Sequence, residues 1–452
     1  MTVHANLDPA ALSIQIARSL RGVEPSTKAL HVCWRLCVDV VGLAVAARES
    51  DYVKAVLGSC ADDGPVTIFG HDRKLGLYDA ALVNGTAAHG EDYDDTFEGG
   101  PVHAGAVVVP AVLALADMRS LDRDAVLRGI AVGAELMCRL SLVAPQAIHK
   151  AGFHPTAVIG ALAAAGAASA ALDLDEDRFS HALGTAGSLA SGIIEYLADG
   201  SWTKRLHAGA AAQAGLRAAL LAESGFVGPR TVLEGSHGFF KAFAPSRSPD
   251  FSPLLEGLGQ RWVMEDIAFK PYACGTMTQP FVDCAIELAK QGITAEQIER
   301  LVCFVGEGTV HRLWEPLAGK RTPPNGYAAK FSTPFCVAVG FLDHAAGLEQ
   351  FTNERAFDPG IRALAAKVSY EVDLDDEYPR NFTGRIRAEL RNGRTMDIRK
   401  PHMRGGVKEP LTDAELVMKF HANLDFGKAS ESQRQVASRR LSALASDGDV
   451  RL

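Results

Sequence analysis

Apolar positions in the first half of this chain recur at the three-to-four-residue spacing of helices, and most are filled by small side chains. SIQIARSLRGV (13–23) is amphipathic, and STKALHVCWRLCVDVVGLAVAARES opens on Ser26, a favourable N-cap, before a long apolar run. Residues 8–60 are therefore predicted helical. Residues 62–72 read as a loop with a short extended piece, and 75–90 (LGLYDAALVNGTAAHG) as a helix broken near Asn84-Gly85. From 104 to 224 the pattern is one Ala-rich helix after another, with short Gly, Pro or Asp breaks and no strand-rich section before residue 255. Side chains this small let helix backbones approach closely.

The period changes near Gln260. RWVMEDIAFK (261–270) alternates like a strand, a helix follows over about 275–291, and ERLVCFVG (299–306) and KVSYEVDLD (367–375) read as strands. TGRIRAELRNGRTMDIRKP (383–401) reads as a hairpin turning at Asn392-Gly393, and the tail from LTDAELVMKFHANL onward is helical again. The expected fold is mainly α: a large all-α domain, residues 1–261 completed by 401–452, and a smaller α+β lid domain over 262–400. A chain that leaves a helical domain and returns to it is expected to form a cleft.

Composition narrows the partners. Hydrophobic residues make up 47% and charged residues 22%, as in a globular protein with a large core, and the net charge of −8 comes with no basic run. Nucleic acid and anionic membrane are poor partners for such a chain. MTVHANLDPAALSIQ lacks the basic and apolar regions of a signal peptide, so a cytoplasmic location is expected. The longest apolar stretch, Ala157 to Leu172, is shorter than the ~20 residues of a membrane span and reads as a core helix. None of the eight cysteines forms a C-x-x-C pair, which fits free buried thiols and not structural zinc. No P-loop or strand-associated G-x-G-x-x-G suggests a nucleotide cofactor.

Candidate chemistry gathers at the starts of helices. His103, His154, Lys204 with His207, and Lys270 each precede or open a predicted helix. A cation there opposes the helix dipole at a cost of roughly 0.3–1 kcal/mol, which makes sense where an anion is to be bound. His154-Pro155 puts an imidazole at the positive end of a dipole, where the neutral form is favoured. The block GEDYDDTFEGGPVHAGA adds Glu91, Asp92, Asp94, Asp95 and Glu98; it reads either as a solvated junction with Asp94 or Asp95 capping a helix, or as part of a site with His103. DDTFE also fits the D-D-x-x-E spacing of metal-dependent terpene synthases, but no second metal motif follows, and 7% aromatic residues offer little for a carbocation pocket. Lys204 and Lys270 read as snorkelling surface lysines or as a carboxylate clamp.

Five segments in order, HGEDYDDT…HAGAVVVPA, GFHPTAVIGALAAA, W-TKRLHAGAAAQAG, FKPYACGTMTQPFVD and AAKFSTPFCVAVGFLD, resemble the MmgE/PrpD family over roughly residues 8–430. That family includes 2-methylcitrate dehydratase, cis-aconitate decarboxylase and iminodisuccinate epimerase. The resemblance implies a homodimer with no metal or organic cofactor, and an active site between a helical and a lid domain. It carries functional roles onto Asp92, Thr96, His103, His154, Lys204 and Lys270, with His207 in support. On this reading Lys204, Lys270 and His154 bind carboxylate, Asp92 and His103 share acid–base duty, and Thr96 orients Asp92 or the ligand. Where many members carry Pro-Ser after the first His, this chain has Ala104-Gly105, and where many carry Arg and His after Lys270 it has Cys274 to Gln279. The leading expectation is a lyase that dehydrates a small hydroxy-di- or tricarboxylic acid of the 2-methylcitrate kind. The alternatives are a decarboxylase of a cis-aconitate-like acid, an epimerase of a dicarboxylate and, further off, a terpene synthase-like enzyme or a non-catalytic carboxylate binder.

Overall fold

A computed structural model describes residues 11–445. The described chain is mainly helical and divides into two compact units. The larger takes the chain up to Gly90, Asp94–Ile267 and the chain from Leu416; the smaller takes Glu91–Tyr93 and Ala268–Glu415.

In the larger unit, α1 (Leu12–Leu20) buries its apolar stripe, and α2 (Thr27–Ala47) starts where Ser26 Oγ accepts from the Ala29 amide at 3.0 Å, as its sequence predicts. After α3 (Asp51–Gly58), a short antiparallel pair, β1 (Asp63–Thr67) and β2 (Lys74–Leu75), supplies the extended piece. The predicted break in α4 (Leu77–His89) does not occur. Gly85 lies in continuous helix because a Cβ there would come within 2.7 Å of Gly209 Cα; the glycine permits contact between helices and does not end one.

α5 (Gly105–Arg119), α6 (Arg123–Val143), α7 (Pro155–Ala171), α8 (Glu176–Leu189) and α9 (Thr203–Glu223) complete the first half. Every residue of α7 is buried, so it is the axis of the core. Its neighbours approach through small residues: a Cβ on Gly133 of α6 would lie 2.6 Å from Ala167 Cβ, and one on Gly160 would lie 3.1 Å from Ala211 Cβ of α9. α2 has the length and apolar composition of a membrane span, but it is buried within the unit and carries Asp39, paired at 2.7 Å with Lys419. All eight cysteines are free and buried.

The smaller unit holds a four-stranded sheet of β3 (Ile298–Val305), β4 (Val368–Val372), β5 (Gly384–Leu390) and β6 (Thr395–Lys400), in the order β4-β3-β5-β6. β3 and β4 are parallel; β5 runs antiparallel to β3 and forms the predicted hairpin with β6, turning through Gly393 at φ +82°. Alternate residues of β5 are buried, the mark of a sheet covered on one face. α10 (Gln279–Lys290) and α11 (Thr333–Asp343) belong to this unit. RWVMEDIAFK is not a strand: Val263–Asp266 form a 3₁₀ turn, and only Ile267–Ala268 are extended. In the turn, the Met264 amide donates at 2.8 Å to Glu135, so a buried carboxylate overrides the alternating pattern. The tail forms α12 (Asp413–Phe426) and α13 (Glu431–Ser442), the latter entered through a Ser430/Gln433 capping box.

Candidate active site

His103, His154 and His207 converge in the larger unit and are joined there by His89. His89 is the last residue of α4, His103 lies two residues before α5, His154 is the N-cap of α7, and His207 is on the second turn of α9. Ring centroids are 5.1 Å apart for His103 and His89, 5.6 Å for His89 and His154, and 5.3 Å for His154 and His207. His154 Nδ1 and His207 Nδ1 share a hydrogen bond of 3.1 Å, so one donates and the other accepts. The Tyr196 ring packs on both, at 6.2 and 5.9 Å.

The acidic block builds this cluster and is not a solvated junction. Asp95 caps α5 from outside the helix, accepting from the Ala104 and Gly105 amides at 3.0 and 2.9 Å. A Cβ on Gly105 would lie 2.5 Å from Asp95 Oδ1, so the Ala104-Gly105 pair gives the cap room. Burial, then Asp94 and Asp39, push the Asp95 carboxyl well above the usual range, against the pull of the two amides. Asp94 is fully buried, with Oδ2 2.6 Å from His89 Nδ1 and 3.7 Å from His103 Nδ1. His103 Nδ1 lies 2.6 Å from the Asp95 carbonyl oxygen. A carbonyl only accepts, so Nδ1 carries the proton and Nε2 presents a lone pair.

Burial, followed by the charges of His89 and Lys204, lowers the His207 imidazole to about 4; the same causes, with His207 and His103 added, hold His154 well below its ordinary value. Both are neutral at pH 7. The helix dipole predicted that state for His154, but desolvation is its principal cause. Lys204, at the second position of α9, supplies positive charge to both rings. Thr96 is buried in the two-residue strand Thr96–Phe97, directly after Asp95.

Asp92 and Lys270 form a second group, in the smaller unit. Asp92 adopts φ +53°, a left-handed conformation that a non-glycine residue holds only under local constraint. Lys270, 2% exposed, donates to the Asp92 carbonyl at 3.0 Å, and the Tyr327 hydroxyl donates to Asp92 Oδ2 at 2.6 Å. Beside them Lys330 pairs with Glu91 at 2.5 Å. Lys270 does not open a helix: residues 271–278 intervene before α10, where Gln279 donates to the Tyr272 and Cys274 carbonyls. These hydrogen bonds hold the loop between Lys270 and α10.

His89, Tyr327 and Lys330 were not singled out from the sequence, and Asp94 was read only as a helix cap or as one carboxylate of the acidic block. His89 and Asp94 stand in the quoted block, five residues apart, but a histidine closing an Ala-rich helix has no distinctive spacing. Tyr327 and Lys330 lie more than 200 residues from their partners.

His89, Asp94 and His103 offer ligand atoms within 4.8 Å of one another. Those nitrogens already face Asp94 Oδ2 and the Asp95 carbonyl at hydrogen-bond distance, an arrangement suited to holding protons. A separate cavity of about 630 Å³ in the larger unit, lined by Tyr52, Val56, Leu82, Thr86, Trp202 and Leu206 among others, includes none of the predicted site residues.

Comparison with known proteins gives the family. Residues 15–252 match the MmgE/PrpD N-terminal domain and residues 272–443 the MmgE/PrpD C-terminal domain. The chain belongs to the MmgE/PrpD family. It is 31% identical over 379 residues to cis-aconitate decarboxylase of Mus musculus, covering 79% of this chain and 74% of that protein. It is 30% identical over 372 residues to the Homo sapiens cis-aconitate decarboxylase (79% and 75%) and 29% over 408 residues to that of Aspergillus terreus (84% and 81%).

Proposed function

We propose that this protein is a lyase that decarboxylates a small unsaturated polycarboxylic acid of the cis-aconitate class. The observation that carries the reading is similarity to cis-aconitate decarboxylases over about four fifths of the chain, and the imidazole cluster with Lys204 beside it supports it. Dehydration, the leading expectation from sequence, has no such specific support among these relatives and gives way to decarboxylation.

The chemistry fits the residues. Loss of carbon dioxide breaks one carbon–carbon bond and leaves its electron pair on carbon, conjugated with a remaining carboxylate. Lys204 and Lys270 would neutralise the carboxylates and stabilise that charge as it forms, through electrostatic preorganisation. A proton must then join the carbon, so each turnover consumes one proton and returns carbon dioxide and the shortened acid. His103, once protonated on Nε2, is the proposed donor; of His154 and His207, neutral and hydrogen-bonded to each other through Nδ1, the ring that accepts that bond carries its proton on Nε2 and would donate it to a carboxylate oxygen. Asp92, fixed by Lys270 and Tyr327, would orient substrate, and Thr96 would line its seat. The carboxylate and the cations stabilise the electron pair between them, so no metal or organic cofactor is required. We keep the homodimer and the cytoplasmic location as parts of this proposal.

Proton NMR with cis-aconitate in deuterium oxide tests it. Decarboxylation yields an alkene with one carbon fewer, with deuterium at the protonated carbon and release of carbon dioxide. An alkene product that keeps every carbon of a hydroxy-acid substrate would restore dehydration, and deuterium exchange alone would indicate epimerisation.

A further inference from the structure

Asp92 keeps a left-handed backbone although it is not glycine, and its surroundings show how. The φ and ψ of one residue are rotations of the two rigid peptide planes that meet at its Cα. The plane before Asp92 carries the Glu91 carbonyl, and the plane after it carries the Asp92 carbonyl. Lys330 Nζ donates to the first at 2.7 Å and Lys270 Nζ to the second at 3.0 Å. Two buried lysines therefore hold both planes. Lys330 Nζ also meets Glu91 Oε2 at 2.5 Å, so a carboxylate stands against its charge on the very residue whose backbone it grips.

Glu91–Tyr93 belong to the smaller unit together with both lysines, and Lys330 has a fixed seat there. It directly follows the short helix Gly326–Ala329, which Asn325 caps by accepting from the Ala328 amide at 2.8 Å. The Gly326 amide donates to Asn353 at 3.0 Å, and a Cβ on Gly326 would strike the Phe351 carbonyl oxygen, so the helix is pressed against neighbouring backbone. The Lys330 carbonyl accepts from the Gly275 amide at 2.9 Å. Tyr327, which donates to the Asp92 carboxylate, stands three residues before Lys330, the spacing that puts two side chains on one side of a helix.

We propose that Lys330 is a positioning residue: its ammonium, paired with Glu91, holds the peptide before Asp92 in the left-handed conformation in which Lys270 reaches the Asp92 carbonyl and Tyr327 its carboxylate. Lys330 acts through Asp92 and not on substrate. The use of the aimed carboxylate rests on the decarboxylase reading; its aiming does not.

The experiment compares crystal structures of the full-length protein without ligand, and kcat and KM for cis-aconitate, among the wild type, Lys330→Met and Glu91→Gln. In Lys330→Met the Asp92 φ leaves the left-handed region. There kcat falls on the order of ten-fold, the size of one hydrogen bond to a charged group, while KM changes by less than about two-fold. Adding Lys330→Met to Asp92→Asn lowers kcat no further, because groups that act as one unit are not additive. In Glu91→Gln the ammonium loses its carboxylate and withdraws from the carbonyl of residue 91, and kcat falls in the same way but less. An Asp92 φ still near +53° in Lys330→Met overturns the proposal, and so does a full second loss of kcat in the Asp92→Asn background. Glu91→Gln with the Lys330 contact and the Asp92 φ both unchanged overturns it whether or not Lys330→Met folds. If the backbone moves as stated but the wild type does not turn over cis-aconitate, the decarboxylase reading fails and the positioning role stands.

Discussion

At the residue scale, burial decides protonation, and that sets two expectations. His207, lowered to about 4, stays neutral in the folded protein while the unfolded chain takes up a proton as pH falls through about 6.5. Because the unfolded state then binds more protons, stability is flat above pH 7 and declines from about 6.5 towards 4. His154 acts in the same direction. Thermal denaturation across this range shows the decline, and His207→Gln makes it shallower. The second expectation concerns Asp92. Tyr327→Phe removes the hydroxyl 2.6 Å from its carboxylate and should lower kcat/KM by about ten-fold or more, equivalent to one hydrogen bond to a charged group, with little change in melting temperature. Lys270→Ala should lower it further, since a buried ammonium is lost together with its hold on the Asp92 carbonyl.

At the element scale, small residues fix how closely the helices approach. α4 and α9 meet where Gly85 faces Gly209, and a side chain at either position strikes backbone. Gly85→Val should destabilise the protein by about 1–3 kcal/mol, the usual cost of overpacking, read as a lower midpoint in urea unfolding. The same approach holds His89 and His207, carried by those two helices, within one cluster, so activity should fall more than stability alone accounts for. The sequence showed that these helices were made of small residues. It misread Gly85 as a break because a glycine that ends a helix and one that admits a neighbour look alike without the neighbour. RWVMEDIAFK shows the same limit: its alternation was real, but the Glu135 carboxylate that folds it into a turn lies over 120 residues away.

At the scale of the whole molecule, the tail returns to close the larger unit. Lys419 of α12 meets Asp39 of α2 at 2.7 Å, both buried, so Lys419→Met alone strands a carboxylate in the core and should cost about 3–5 kcal/mol. Pairing it with Asp39→Leu should recover most of that loss, and the double-mutant cycle in denaturant measures the coupling. The eight free cysteines are all buried, so a thiol reagent should leave the native protein unmodified and label all eight on unfolding.

The amino-acid sequence determined the mainly α character, the Ser26 cap and the hairpin at Asn392-Gly393, because these depend on local spacing and on residue type. Five ordered segments also carried the family. Tertiary structure alone decided which groups meet: that Asp94 serves two imidazoles while Asp95 caps a helix, that His89 joins the cluster, and that Asp92 is held by Tyr327 and Lys270. Adjacent carboxylates with identical local signals acquire different roles only when distant chain segments remove water from around them, and no local pattern encodes that desolvation.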